Sequence, residues 1–258
     1  MTSAHYQKDR DYHDIIAEEY DRVVVNPRAL INDALFRPLL ARLPRPESYL
    51  DLGCGTGHML ARLGSVLKPA RMTGVDHSEG MLAQARRNTQ DIAGVELEFI
   101  QSDVFEFLQQ SSAVHDLISC VGVLHHLKPE QLDGFLIGCR QQLQKQGYLL
   151  VAEPVDCPSL HQPLPAWIAS RNARSPAASL QYHQHAEEPD EHPLAEGRLI
   201  EALQNAGFDI IGQRRAVEVF PLNDPPSIID KLTARWACHQ FRNDGYVHAV
   251  LARPSRST

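Results

Sequence analysis

The sequence predicts a doubly wound α/β domain, and three observations carry that expectation. Between Ser48 and Glu153, apolar strand-like runs alternate with segments whose apolar residues recur every three or four positions. The links between them are short, which argues for a parallel sheet covered by helices on both faces. A glycine-rich turn, Gly53-Cys54-Gly55-Thr56-Gly57, carries the first of these strands straight into the first helix.

Taken in order, residues 1–47 read as a helical cap: His13 to Val25 is mixed, Leu30 to Leu43 is strongly periodic, and Pro44 and Pro46 stop the chain before the first strand. The strands are SYLDLG, MTGVD, LEFIQ, DLISCVGVL and YLLVAE. Leu132, Phe135, Leu136, Cys139 and Leu143 form the clearest helical stripe between them. Seven of the 17 prolines fall between Pro154 and Pro193, so an insertion at about 156–194 reads as an irregular lid without strands. A helix over Ala195 to Ala206 is closed by Gly207. Phe208 to Arg214 and Tyr246 to Arg253 read as the last strands. The stretch at about 215–245 between them has Pro225-Pro226 followed by Ile229, Leu232 and Trp236, the pattern of one extra helix. Residues 48–258 thus form one domain with two insertions.

Composition bounds the function. With 258 residues, 43% hydrophobic and 22% charged, the chain has an ordinary globular make-up and needs no disulfide or metal staples. A net charge of −7 disfavours a nucleic-acid partner, which calls for a basic excess. The longest apolar run, Leu117 to Leu124, is too short to span a bilayer, so no membrane partner is expected. The polar amino terminus lacks the apolar stretch of a signal peptide, and five scattered cysteines (Cys54, Cys120, Cys139, Cys157, Cys238) form no C-x-x-C pair. A cytoplasmic protein with reduced thiols is expected.

The turn carries the chemistry. Alternate glycines let the backbone bend tightly and approach a ligand, and the following helix aims free amides at the same space. Position 58 is His rather than the third Gly of the dinucleotide fingerprint, and Asp51 precedes the turn. A carboxylate there suits a cation better than a pyrophosphate. Asp76 ends the second strand, where an acid commonly holds ribose hydroxyls. Asp103 follows the third strand and is suited to accept from an adenine amino group. Each acid taken alone also suits a helix N-cap. Three at successive strand tips point to a ligand.

The ordered runs LDLGCGTGHML, VDHSEGMLAQAR, QSDVFEF and DLISCVGVLHHL resemble the motif set of class I S-adenosylmethionine-dependent methyltransferases over residues 45–155. The resemblance implies a Rossmann-like sheet of seven strands with the last reversed, and S-adenosylmethionine lying across the strand tips. It implies Asp51 and Gly53 near the methionine end, Asp76 at the ribose hydroxyls, Asp103 with Val104 at the adenine, the Cys120 backbone facing the amino-acid end, and Tyr20, Cys54, Gly55, His77 and Met81 as further cofactor contacts. Tyr20-Asp21 is similar to a Tyr-Asp pair on a helix that closes over the cofactor, with Tyr12 a weaker match. The chain lacks the Asn-Pro-Pro-Tyr loop of amide- and adenine-methylating relatives, having Cys120-Val121-Gly122-Val123 instead.

Methyl transfer from a sulfonium needs positioning more than a protein nucleophile, and a base only where the acceptor loses a proton. His125 and His126 follow the fourth strand and are the candidate catalytic residues; the same pair could simply open and pack a helix. Glu153 and Asp156 could face the acceptor or be loop acids. His183, His185, Glu187, Glu188 and His192 lack metal-ligand spacing, so no metal site is expected. Trp167, Tyr182 and Trp236 suit a pocket wall or the core. The expected activity is methylation of a small-molecule metabolite. The alternatives are a tRNA or protein methyltransferase, a non-methylating enzyme of the same fold and cofactor (carboxyl transfer, for example), and a non-catalytic binding subunit. The 215–245 stretch offers either a homodimer contact or part of the acceptor pocket.

Overall fold

The computed structural model describes residues 4–179 and 191–255. Helix α1 (Ala4–Tyr20) passes through one wide turn, Asp21–Val25, into α2 (Asn26–Leu40). There follow β1 (Ser48–Leu52), α3 (His58–Leu67), β2 (Arg71–Asp76), α4 (Glu79–Thr89), β3 (Glu96–Gln101) and α5 (Val104–Gln110). Next come β4 (His115–Val121), α6 (Leu132–Gln141), the long β5 (Leu143–Asp156), α7 (Pro158–His161) and α8 (Ala166–Arg174). The chain continues through β6 (Leu194–Ala195), α9 (Arg198–Asn205), β7 (Phe208–Ala216), α10 (Ile228–Gln240) and β8 (Val247–Pro254).

The sheet runs β3-β2-β1-β4-β5-β8-β7, with β1 to β5 pairing in parallel and β8 antiparallel to both neighbours. This is the expected seven-strand Rossmann-like order with a reversed last strand. The two-residue β6 adds a parallel pairing at the end of β5. Strand β1 is buried at every position, as a strand covered on both faces must be. Phe36 and Leu39 of α2 and Leu60 and Leu63 of α3 cover one face; Phe135, Leu136 and Cys139 of α6 and Leu203 of α9 cover the other. Strand order reverses between β1 and β4, so the crevice beyond their carboxyl ends is where an open α/β sheet binds its ligand.

Helix α1 roofs that crevice. Tyr12, Ile16 and Ala17 pack on Met81 of α4. Asp14 accepts hydrogen bonds from the Ser78 hydroxyl (2.5 Å) and the Gly80 amide (2.9 Å). Asp21 accepts from Thr56 in the glycine turn (2.5 Å) and from Asn88 (2.6 Å). The Tyr-Asp segment therefore ties the roof to the turn it covers.

The insertions hold more regular structure than their prolines suggest. Helix α8 is fixed by Asn172, which donates to the Glu218 carbonyl (3.1 Å) and accepts from the Phe220 amide (2.9 Å). Arg171 forms a buried pair with Asp230. Helix α10 starts where the diproline and Ser227 place it, with Ser227 and Asp230 in a reciprocal cap. Its orientation reverses what apolar spacing suggests: small residues, Ala234, Ala237 and Cys238, face the protein, while Ile229, Leu232 and Trp236 are 67%, 55% and 48% exposed. Trp236 packs edge-on against Trp167, with centroids 5.0 Å apart, over a surface groove. His183, His185, Glu187, Glu188 and Tyr182 lie outside the described residues. Among the described residues no helix is long and apolar enough to cross a membrane.

Candidate functional site

The glycine turn adopts left-handed backbone at Gly53 (φ 66°), Gly55 (φ 50°) and Gly57 (φ 76°). A Cβ on Gly53 would meet a Val123 methyl at 2.4 Å, so any other residue there must push Val123 aside as well as hold a left-handed backbone. A Cβ on Gly55 would project into open space, which is the bare backbone a ligand can approach. Asp76 holds the turn in place, accepting from the Gly55 amide (2.8 Å) and the Ser78 amide (2.9 Å).

Two joined compartments lie over the strand tips. The narrower, about 90 Å³ beneath the roof, is lined by Gly53, Gly55, Asp76, His77 and Met81 on the sheet side. Asp103 and Val104 close one end, and Asp9, His13 and Tyr20 come from the roof. Asp103 also caps α5 by accepting from the Phe105 amide (2.9 Å), so the capping and lining roles coincide in one carboxylate. The larger compartment, about 370 Å³, is lined by Tyr12, Asp51, Cys54, His125 and Glu153, and by Arg28, Ile31, Glu218 and Tyr246. Tyr20, Gly53, Gly55, Val121, Gly122 and His126 belong to both. Cys120 lines neither: its thiol is buried in the core, and Val121 and Gly122 face the compartments instead. Neither Trp167 nor Trp236 lines the two compartments.

Asp51 is fully enclosed. Its carboxylate accepts from the Ser119 hydroxyl, which also meets the Tyr49 hydroxyl at 2.6 Å. Burial pushes its pKa up to about 7, against the opposing Ser119 and Tyr49 hydrogen bonds and with help from the nearby Asp76 charge. An acid held this way is poised for a cationic ligand.

Histidines gather around two carboxylates at the junction. Asp9 of α1 lies 3.1 Å from His126 Nδ1, 3.2 Å from His77 Nε2 and 3.6 Å from His13 Nδ1. Burial raises its pKa, but the His126 contact and the three imidazoles outweigh that and bring it to about 2. Glu153, at the end of β5, accepts from the Val123 and Leu124 amides (both 2.9 Å) with one oxygen. Its other oxygen lies 2.8 Å from His125 Nδ1. Burial lowers the His125 pKa, yet the Glu153 bond and charge carry it above the ordinary value. Burial dominates at His126 and lowers it. The adjacent histidines thus lie against carboxylates from distant parts of the chain, Asp9 and Glu153. Glu191 reaches the same place because the His192 amide donates to the His125 carbonyl (2.7 Å). Asp9, His13 and Glu191 carried no signal in the sequence, since nothing in their neighbourhood pairs them with residues more than 60 positions away.

A sheet with this order, a glycine turn at its reversal and acids at three strand tips define a nucleoside-cofactor-binding α/β protein. Residues 50–147 match the model of a methyltransferase domain. The chain is 33% identical over 119 residues to the carboxy-S-adenosyl-L-methionine synthase of Wolinella succinogenes, covering 45% of this chain and 48% of that protein. It is 31% identical over 106 residues to the ubiquinone biosynthesis O-methyltransferase of Cronobacter sakazakii, covering 40% of each. It thus spans about half the length of the curated relatives it matches. The structure of DhpI in complex with SAH superposes over 100% of both chains with a TM-score of 0.65 at 17% identity, a likeness of fold. The matched segment, residues 50–147, thus resembles a methyltransferase domain, and the whole chain shares the fold of a solved S-adenosylhomocysteine complex.

Proposed function

We propose that the chain transfers the methyl group of S-adenosylmethionine to a small-molecule metabolite, releasing S-adenosylhomocysteine. The observation that carries this reading is the junction of the two compartments: a cleft lined by the strand-tip acids opens, past Gly53, Gly122 and His126, into a walled cavity of about 370 Å³. That is the size of a small-ligand pocket. When bound, the cofactor supplies an electrophilic methyl on a sulfonium sulfur.

The residues divide the work. Asp76 holds the ribose hydroxyls beside His77 and Met81, and Asp103 with Val104 frames the adenine. Asp51, Gly53, Cys54 and Gly55 take the methionine end, and Tyr20 covers it. His125 and His126 touch the reacting atom of the acceptor, and Glu153 positions His125. Enclosure by Tyr12, Ile31 and Tyr246 supports a metabolite over a tRNA or protein, as does the charge of −7. The five cysteines are free and buried, which suits a cytoplasmic enzyme.

A second reading, carboxylation of the cofactor, is favoured by the likeness to carboxy-S-adenosyl-L-methionine synthases, three of them among the matches. Purified protein incubated with S-adenosylmethionine and separate metabolite, RNA and protein fractions distinguishes these. S-adenosylhomocysteine formed only with the metabolite fraction supports the first reading. Formation only with a macromolecular fraction, or a cofactor that gains a carboxylate instead, overturns it.

A further inference from the structure

We propose that the outward face of α10, with α8 beside it, docks the chain on an anionic lipid surface. Nine large apolar side chains are exposed among the described residues, and five of them gather here: Ile228 (69%), Ile229, Leu232 and Trp236 on α10 and Trp167 (39%) on α8. Together they expose on the order of 500 Å² of apolar surface, near the upper end of the largest patch that a monomer carries. A contiguous patch of that size marks a site of interaction with a protein or a membrane.

The charges beside the patch decide between partners. Lys231 and Arg235, one helical turn apart, flank the apolar stripe of α10, and Arg174 of α8 lines the groove that Trp167 and Trp236 share. All three are exposed, and no carboxylate of the described residues pairs with them. The one acid on either helix is Asp230, which is buried against Arg171. The chain as a whole carries −7, so this basic edge is a local reversal of its charge. It attracts a negative surface. A second copy presenting the same face would instead bring like charges together.

The kind of side chain favours lipid over an acidic protein. Aliphatic tips and indoles with cations alongside are the make-up of helices that lie in a bilayer interface, where indole rings settle at headgroup level. The platform beneath them is fixed. The Arg171–Asp230 pair joins α8 to α10, and Asp230 also accepts from the Leu222 amide (3.0 Å), the Asn223 side chain (3.0 Å) and the Ser227 hydroxyl (2.7 Å). Docking of this kind needs no spanning helix, and it does not rest on the methyl-transfer reading.

The chain's two tryptophans, Trp167 and Trp236, both lie in the patch, so their emission reports its occupancy. The test mixes the full chain with vesicles of phosphatidylcholine, alone or containing phosphatidylglycerol, and follows tryptophan emission and cosedimentation. Emission should move to shorter wavelength, and binding to the phosphatidylglycerol vesicles should be at least about tenfold tighter and weaken as salt is raised. Ile229→Ser with Leu232→Ser should weaken vesicle binding at least about tenfold, and Lys231→Glu with Arg235→Glu should abolish the preference for anionic vesicles. The midpoint of denaturant unfolding should stay near the parent value in both variants, because the replaced side chains already face solvent. No binding to phosphatidylglycerol vesicles, equal binding to both vesicle types, or binding that Ile229→Ser with Leu232→Ser leaves unchanged overturns the proposal. An emission shift that grows with protein concentration in the absence of lipid also overturns it and assigns the face to a second copy. A shift produced by polyglutamate and not by vesicles overturns it in favour of an acidic protein.

Discussion

The buried Asp51 makes stability and cofactor binding respond to pH in opposite directions. Its pKa is raised from 3.8 to about 7, chiefly by burial. That difference of about three pH units, at 1.36 kcal/mol each, means the ionised carboxylate costs the cofactor-free protein on the order of 4 kcal/mol. The folded state holds the proton more tightly than the unfolded chain. The stabilising contribution of the neutral acid is therefore complete below pH 3.8, erodes as pH rises and is gone above about 7. Asp51→Asn removes the penalty. Chemical denaturation of cofactor-free protein at pH 5 and pH 8 should find the variant more stable by up to a few kcal/mol at pH 8, with a much smaller gain at pH 5. A cationic ligand reverses the preference, because it needs the carboxylate charged. S-adenosylmethionine affinity should fall by up to tenfold per pH unit below about 7, and the Asn variant should lose both the affinity and its pH dependence. Equal or lower stability of Asp51→Asn at pH 8, or cofactor affinity flat from pH 6 to 8, would refute the reasoning.

Other perturbations read other parts of the site. Asp76→Ala leaves the Gly55 and Ser78 amides without their acceptor, and calorimetry should find cofactor affinity at least tenfold lower, in line with a charged hydrogen bond of about 1.5–3 kcal/mol. Gly53→Ala drives a Cβ into Val123 and should lose about 1–3 kcal/mol in a denaturant titration, whereas Gly55→Ala meets no neighbour and should lose less stability while weakening cofactor binding. Asp21→Ala unties the roof from Thr56 and Asn88, so hydrogen exchange over α1 should accelerate with little change in the midpoint of global unfolding.

Local spacing made much of this molecule legible. The strands, the glycine turn and the acids at Asp51, Asp76 and Asp103 each announce themselves within a few residues, because turn geometry and strand ends are set by neighbours in the chain. What stayed hidden depends on distant partners. Glu153 reads as an end-of-strand acid until β5 lies beside β4 and puts it against His125. Asp9 sits on a polar helix whose value emerges only when α1 lies across the strand tips. Glu191 is one acid in a polar tract, and a single backbone bond from its neighbour places it. The outward Ile229, Leu232 and Trp236 of α10 carry the spacing of a buried stripe, yet α2 packs against the small residues on the other side. Periodicity identifies a helix without saying which of its faces the fold will cover.

The central claim is that a methyl group leaves the cofactor for a small molecule. Supplying S-adenosylmethionine labelled at the methyl carbon to the purified protein with a metabolite extract, and following the label by nuclear magnetic resonance and mass, tests it directly. The account predicts the label on one low-molecular-weight compound, with S-adenosylhomocysteine formed in equal amount. Label retained on the sulfonium, or recovered only in RNA or protein, would contradict it.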